Sequence, residues 1–286
     1  MASGWETSKT SGGSAAAADD VLQRAVFALN NGRPVDAERL AGDVLKANPR
    51  HARALHIFGC ALLMQGHARE AIAPLEAAVR GRHDAEIETE LAMALRGVGE
   101  NDEALTQLRR ITKRYPTYAL AFRELGYLLS AMEHHDEAID ALARSLELAP
   151  MMTDLAVKLG LILLHRRKFV EARSAFARAL NIAPGLPDAL FGIAKAHQEI
   201  GENETAADYF RQCLMKRPND AETLLALGHC LLELGQRDAG YDCFRIAARG
   251  NPQRYGNALN SLAAAARGRF WLKPSAASRY LRDMQS

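Results

Sequence analysis

The chain of 286 residues is rich in Ala, Leu, Glu and Arg and poor in aromatic residues (6%), a mixture that favours helix over strand. Its 36 basic and 34 acidic residues leave a formal charge of +2, so bulk charge points to neither nucleic-acid nor membrane partners. No stretch reaches the ~20 apolar residues needed to span a bilayer, and the four cysteines form no CxxC pair, which reads as reduced, buried thiols in a cytoplasmic protein.

Residues 1–17 carry no basic start and no apolar core. They are therefore not a secretory signal and are expected as a flexible leader. From residue 18 one pattern repeats to residue 252. Its second halves read VDAERLAGDVLKANP ending at Pro49, NDEALTQLRRITKRYP ending at Pro116 and HDEAIDALARSLELAP ending at Pro150. FVEARSAFARALNIAP, NETAADYFRQCLMKRP and RDAGYDCFRIAARGNP follow, ending at Pro184, Pro218 and Pro252. From Pro116 onward the prolines are 34 residues apart, whereas Pro49 to Pro116 spans 67, one short of two repeats. The missing residue falls near Arg80–Asp84.

Each repeat predicts two helices with one apolar stripe apiece. First helices show Phe122, Leu125-Gly126 and Leu129, then Ala156, Leu159-Gly160 and Leu163, then Leu224, Leu227-Gly228 and Leu231. Second helices show Ala138 with Leu142, Ala172 with Phe176, and Ala206 with Phe210. The small residues (Gly59, Ala92, Gly126, Gly160, Ala194 and Gly228, paired with Ala71, Ala104, Ala138, Ala172, Ala206 and Gly240) allow close helix approach. Gly66, Gly99, Gly201 and Gly235 fall between paired helices, where positive φ suits glycine. Glu133 and Arg167 occupy the same place in two repeats. A lone hairpin cannot bury both faces, so neighbours must stack.

These residues resemble the tetratricopeptide repeat family over about residues 18–252, in seven units starting near 18, 52, 85, 119, 153, 187 and 221. The resemblance implies an all-α fold, a right-handed superhelical solenoid of helix-turn-helix repeats. It also implies a protein-interaction scaffold or adaptor that holds a peptide or protein segment in a concave groove lined by the first helices. The alternative function is a substrate-presenting or regulatory subunit of a separate enzyme, such as a glycosyltransferase or sulfotransferase.

By register the groove positions are His56, Cys60, Met64, Thr89, Met93 and Arg96 in repeats two and three. Repeats four and five offer Arg123, Tyr127, Lys158, Leu161 and His165, and repeats six and seven Phe191, Lys195, Gln198, Leu225 and His229. Arg96, Arg123, Lys158 and Lys195 give one cation per repeat, which suits an acidic segment, while Tyr127 and Phe191 suit an apolar one. Glu86, Glu90, Glu124 and Asp154 lie close enough in sequence to neutralise such a strip.

Two known groove types do not fit. A carboxylate clamp for a chaperone tail needs Lys and Asn one turn apart, where this chain has His56 and Cys60, Arg123 and Tyr127, or Phe191 and Lys195. An asparagine ladder, as in the O-linked GlcNAc transferase superhelix, would fall on Gln23, Ile57, Glu90, Glu124, Lys158, Gly192 and Ala226.

No nucleotide-binding, zinc-protease or serine-hydrolase motif occurs, and no room remains for a catalytic domain, so the chain is not expected to be an enzyme. His56 and Cys60 share a helix face at i, i+4, but two ligands are too few and no third is evident in the sequence. No metal or cofactor is expected. Acidic pairs Asp102-Glu103 and Asp136-Glu137 begin second helices, where they suit the helix dipole.

Residues 253–286 predict a capping helix and a tail in which Phe270, Trp271 and Leu272 sit among basic residues. From Arg249 onward seven Arg/Lys stand against one Asp. The tail covers the last repeat or offers a second docking surface. Self-association through exposed repeat ends is compatible with the array. Nucleic acid is not expected as a partner.

Overall fold

The structure, a computed structural model, describes residues 10–249 together with Gly256, Asn260 and Ser275. The described residues form fourteen helices and no strand, in an all-α helical-repeat solenoid. They are α1 (Thr10–Asn30), α2 (Pro34–Ala47), α3 (Ala52–Met64), α4 (Ala68–Gly81), α5 (Ala85–Gly97), α6 (Asn101–Arg114) and α7 (Ala119–Ala131). The remainder are α8 (His135–Leu148), α9 (Thr153–His165), α10 (Phe169–Ile182), α11 (Pro187–Glu199), α12 (Asn203–Lys216), α13 (Ala221–Glu233) and α14 (Arg237–Ala248). They divide between Leu148 and Ala149 into two compact units.

The helix α1 begins inside the segment expected as a leader, so residues 10–17 are helical rather than loose. The run Ser14–Asp20, with four consecutive alanines, carries the helix backward because alanine has the highest helix propensity. Residues 1–9 and, apart from Gly256, Asn260 and Ser275, the expected cap and tail lie outside the described residues, Phe270, Trp271 and Leu272 among them.

Every hairpin closes in the same way. Gly32, Gly66, Gly99, Glu133, Arg167, Gly201 and Gly235 all have positive φ, with Glu133 at 64° and Arg167 at 57°. The amide that follows each of them donates to a carbonyl five residues earlier, as in His67 to Leu62 at 2.9 Å and His134 to Leu129 at 2.9 Å. This bond satisfies a carbonyl that the helix end would otherwise leave unpaired. Between hairpins, α2–α3, α6–α7, α10–α11 and α12–α13 are joined by four residues, but α4 and α5 by only three, Arg82–Asp84. That is where the sequence interval is one short. Asp84 there caps α5 by accepting from the Glu86 amide at 3.0 Å.

In the first unit a continuous apolar core runs from Leu62 and Leu75 through Leu91, Leu108, Ile111 and Leu125 to Leu129 and Ala141. Leu22, Leu40, Val44 and Ile57 form a second cluster beneath α1–α3. In the second unit Phe210 packs among Leu227, Cys230 and Leu231. The close approach expected of the small positions is present: a Cβ on Gly126 would lie 2.3 Å from Leu142 Cδ2, and Cβ atoms on Gly160 and Gly192 would lie 2.7 and 2.3 Å from the Phe176 ring. Cys213, Cys230 and Cys243 are buried, and Cys60 is partly buried; all four are free thiols.

Candidate functional site

The first helices of the first unit leave a groove of about 540 Å³ along their shared face. Val26 and Leu29 line it from α1, His56, Ile57, Cys60 and Met64 from α3, and Ile87, Glu90 and Met93 from α5. Leu120 and Arg123 close it from α7, Arg82 and Asp84 border it from the shortened connector, and Glu86 from the first turn of α5. These side chains meet because α1, α3, α5 and α7 are the equivalent helices of successive repeats, and each apolar stripe is wider than the core alone needs.

Of the positions expected in the groove, His56, Cys60, Met64, Met93 and Arg123 lie in this cavity. Met64 is 53% exposed although it is a large apolar residue. Thr89 is a correction: it is fully buried, its hydroxyl donating to the Ala85 carbonyl at 2.6 Å. It faces the core because it lies one position short of Glu90 on the helical wheel.

Arg96 and Arg123 are half-buried and both spent on one carboxylate. Glu124, only 2% exposed, takes Arg123 Nε and Nη2 on Oε1 at 3.0 Å each and Arg96 Nη2 near Oε2 at 3.0 Å. A buried carboxylate without cations would be costly, so these arginines neutralise the protein's own charge. Tyr127 is half-buried on the same helix.

In the second unit Lys158, Leu161 and His165 are exposed on α9. Phe191 instead packs its ring against Phe210, with centroids 5.7 Å apart. Lys195 donates to Gln198 Oε1 at 3.0 Å, and Gln198 in turn donates to the Ala226 carbonyl at 3.4 Å. Leu225 is half-buried. His229 sits edge-on to Phe244 at 5.2 Å, and burial, helped by the Lys195 charge, holds its imidazole below the usual histidine range.

Glu90 is the residue whose role sequence reasoning missed. Its Oε2 accepts from His56 Nε2 at 2.6 Å and from Cys60 Sγ at 3.0 Å. Burial lowers the affinity of His56 for a proton, but the bond to Glu90 and the charges of Glu90, Glu86 and Asp84 outweigh it, so its pKa is raised. Burial and the same Glu90 charge push the Cys60 thiol far up, which keeps it protonated. The register places Glu90 level with Ile57, next to His56, but only stacking of α5 on α3 turns that registry into contact.

The burial on α5 extends to Glu88, which is 1% exposed and faces Arg110 at 3.6 Å, Arg114 at 3.4 Å and His83 at 3.3 Å. The two arginine pairs fasten α5 to α6, and His83 ties in the connector before α5. No helix among the described residues is long and apolar enough to cross a membrane.

A tetratricopeptide repeat model matches residues 22–86, 89–150 and 123–187, and a second model of the same repeat matches 188–220. No curated protein matches. Among solved structures, the C-terminal part of a TPR repeat-containing protein from Cytophaga hutchinsonii superposes with a TM-score of 0.65 at 12% identity, covering 82% of this chain and 98% of that one. YrrB, described as a TPR protein with an unusual peptide-binding site, gives 0.56 at 20% identity, covering 65% and 96%. MamA protein gives 0.52 at 24% identity, covering 60% and 94%. At these identities the likenesses speak for the fold, and they agree with the repeat models that account for most of the described helices. The chain belongs to the tetratricopeptide repeat family.

Proposed function

We propose that this protein is a non-catalytic interaction scaffold that takes an apolar peptide or protein segment into the groove of its first unit. The observation that carries this reading is the exposed Met64, facing a cavity it shares with Val26, Leu29, Ile57, Ile87, Met93 and Leu120. Methionine is flexible and polarisable, so paired methionines adapt to varied apolar partners. An acidic segment is favoured less, because the cations bordering the groove are committed to carboxylates of the protein itself. Arg53 pairs with Asp19 at 3.5 Å, Arg82 with Asp84 at 3.0 Å and Arg123 with Glu124 at 3.0 Å. The family's general role in protein interaction and the peptide-binding site named for YrrB support the same reading.

Selection from a displayed peptide library tests it. Selected peptides are expected to be rich in Leu, Ile, Phe or Met, and a Met64→Lys, Met93→Lys double variant with unchanged helical circular dichroism should bind them at least ~10-fold more weakly, the cost of desolvating two ammonium groups. Equal binding by wild type and variant would remove the groove from the proposal.

A further inference from the structure

Among the described residues, His56, Cys60 and Glu90 alone bring three groups of metal-ligating type together, with an imidazole nitrogen, a thiol sulfur and a carboxylate oxygen all within 4.8 Å of one another. All three are half-buried, on two rigid helices rather than on loops, and all three line the groove. We propose that these residues form a binding site for a divalent transition-metal ion of zinc type, with its fourth coordination position opening into the groove. The site does not depend on the groove binding a peptide.

The donor set is the first argument. Nitrogen, sulfur and oxygen from His, Cys and Glu are the ligand types zinc takes in proteins, and three protein ligands with one open position are a known zinc arrangement. A purely hard ion such as Mg²⁺ or Ca²⁺ would leave the imidazole and thiol unused. Geometry is the second. Tetrahedral ligands at about 2.0–2.3 Å from zinc stand roughly 3.3–3.6 Å apart. Glu90 Oε2 already lies 2.6 Å from His56 Nε2 and 3.0 Å from Cys60 Sγ, and all three donor atoms lie within 4.8 Å of one another, so side-chain adjustments of about 1 Å admit the ion. The i, i+4 spacing of His56 and Cys60 on α3 fixes two ligands, and Glu90 arrives on α5 from the next repeat.

Charge is the third argument. Glu86 adds negative charge around His56, while Arg53 and Arg123 are engaged with other carboxylates and Arg82 is paired with Asp84. Binding involves no redox step. Zinc replaces the thiol proton, and any proton on His56, and these protons leave to solvent.

Titration of the full chain with Zn²⁺, after removal of bound metal by a chelator, tests the site. One zinc per chain is expected at micromolar affinity or tighter, with a rise in melting temperature that grows with zinc concentration. Substitution by Co²⁺ should give a thiolate-to-cobalt charge-transfer band and intense visible bands of tetrahedral cobalt. Cys60→Ser should abolish the charge-transfer band, and Cys60→Ser and Glu90→Gln should each weaken zinc binding by at least ~10-fold. Both are near-isosteric, and unchanged helical circular dichroism shows that they fold. Cys213→Ser, at a buried thiol of the second unit, should bind zinc as wild type does. Absence of one-to-one zinc binding by wild type, or equal binding by the Cys60→Ser, Glu90→Gln double variant, would overturn the proposal.

Discussion

Glu133 and Arg167 show how strongly the hairpin geometry dictates single residues. Five of the seven turns place glycine at positive φ, and these two force a side chain into the same region. A β-carbon there costs about 1–2 kcal/mol, partly offset in a comparison with glycine by glycine's larger unfolded-state entropy. Glu133→Gly and Arg167→Gly are therefore expected to stabilise the protein by about 0.5–1 kcal/mol each, read as a higher urea midpoint with unchanged slope. Arg167 loses its stacking over the Phe169 ring at 5.5 Å, so its gain should be the smaller. His56 supplies a pH-dependent counterpart. Its folded pKa is raised above the unfolded value, so its pairing with Glu90 adds stability that is fully present below about pH 6.5 and is lost as pH rises through the folded pKa. In the protein stripped of metal by a chelator, His56→Gln should cost more at about pH 5.5 than at about pH 8, as measured by urea unfolding at both. An equal cost at the two values would mean that the imidazole acts only by packing.

Pairs of helices are where the repeat pattern acquires its energy. Phe176 on α10 fills the space left by Gly160 on α9 and Gly192 on α11, so a β-carbon on Gly192 would come within 2.3 Å of the ring. Alanine is the better helix former by about 1 kcal/mol, but the overpacking of a fully buried ring outweighs it. Gly192→Ala is expected to destabilise by about 1–3 kcal/mol in urea unfolding. A stabilising result would show that α11 can shift away from α10 at little cost. Much at this scale is legible in sequence: the Leu-Gly dipeptides, the Ala positions and the 34-residue proline spacing predict which helices pair and where they turn. Residues 10–17 are helical where a flexible leader is expected, because an alanine run extends a helix without any apolar periodicity to announce it. The groove map was only partly legible, since a register position says which helix face a residue shares but not how wide the buried stripe is. Thr89 and Glu124 fell on the buried side of that border.

In the whole molecule, stability comes from intrinsic hairpin terms plus nearest-neighbour stacking, so damage should stay local. Phe244→Ala, which empties a fully buried site against Gly228, should lower amide-exchange protection most in α13 and α14, less in α11 and α12, and least in α9 and α10. Uniform loss through all six helices would instead indicate one cooperative block. The amino-acid sequence by itself determined the helical class, the seven hairpins, the turn positions and the shortened connector, because these follow from local propensity, period and the φ preferences of glycine and proline. Tertiary structure alone decided which cations are free and which groups meet across repeats. Arg96 and Arg123 are taken up by Glu124, and Glu90 joins His56 and Cys60 from 34 and 30 residues away. Such meetings depend on the stacking offset between successive helices, a quantity set by the packed volumes of the core and by no single residue along the chain.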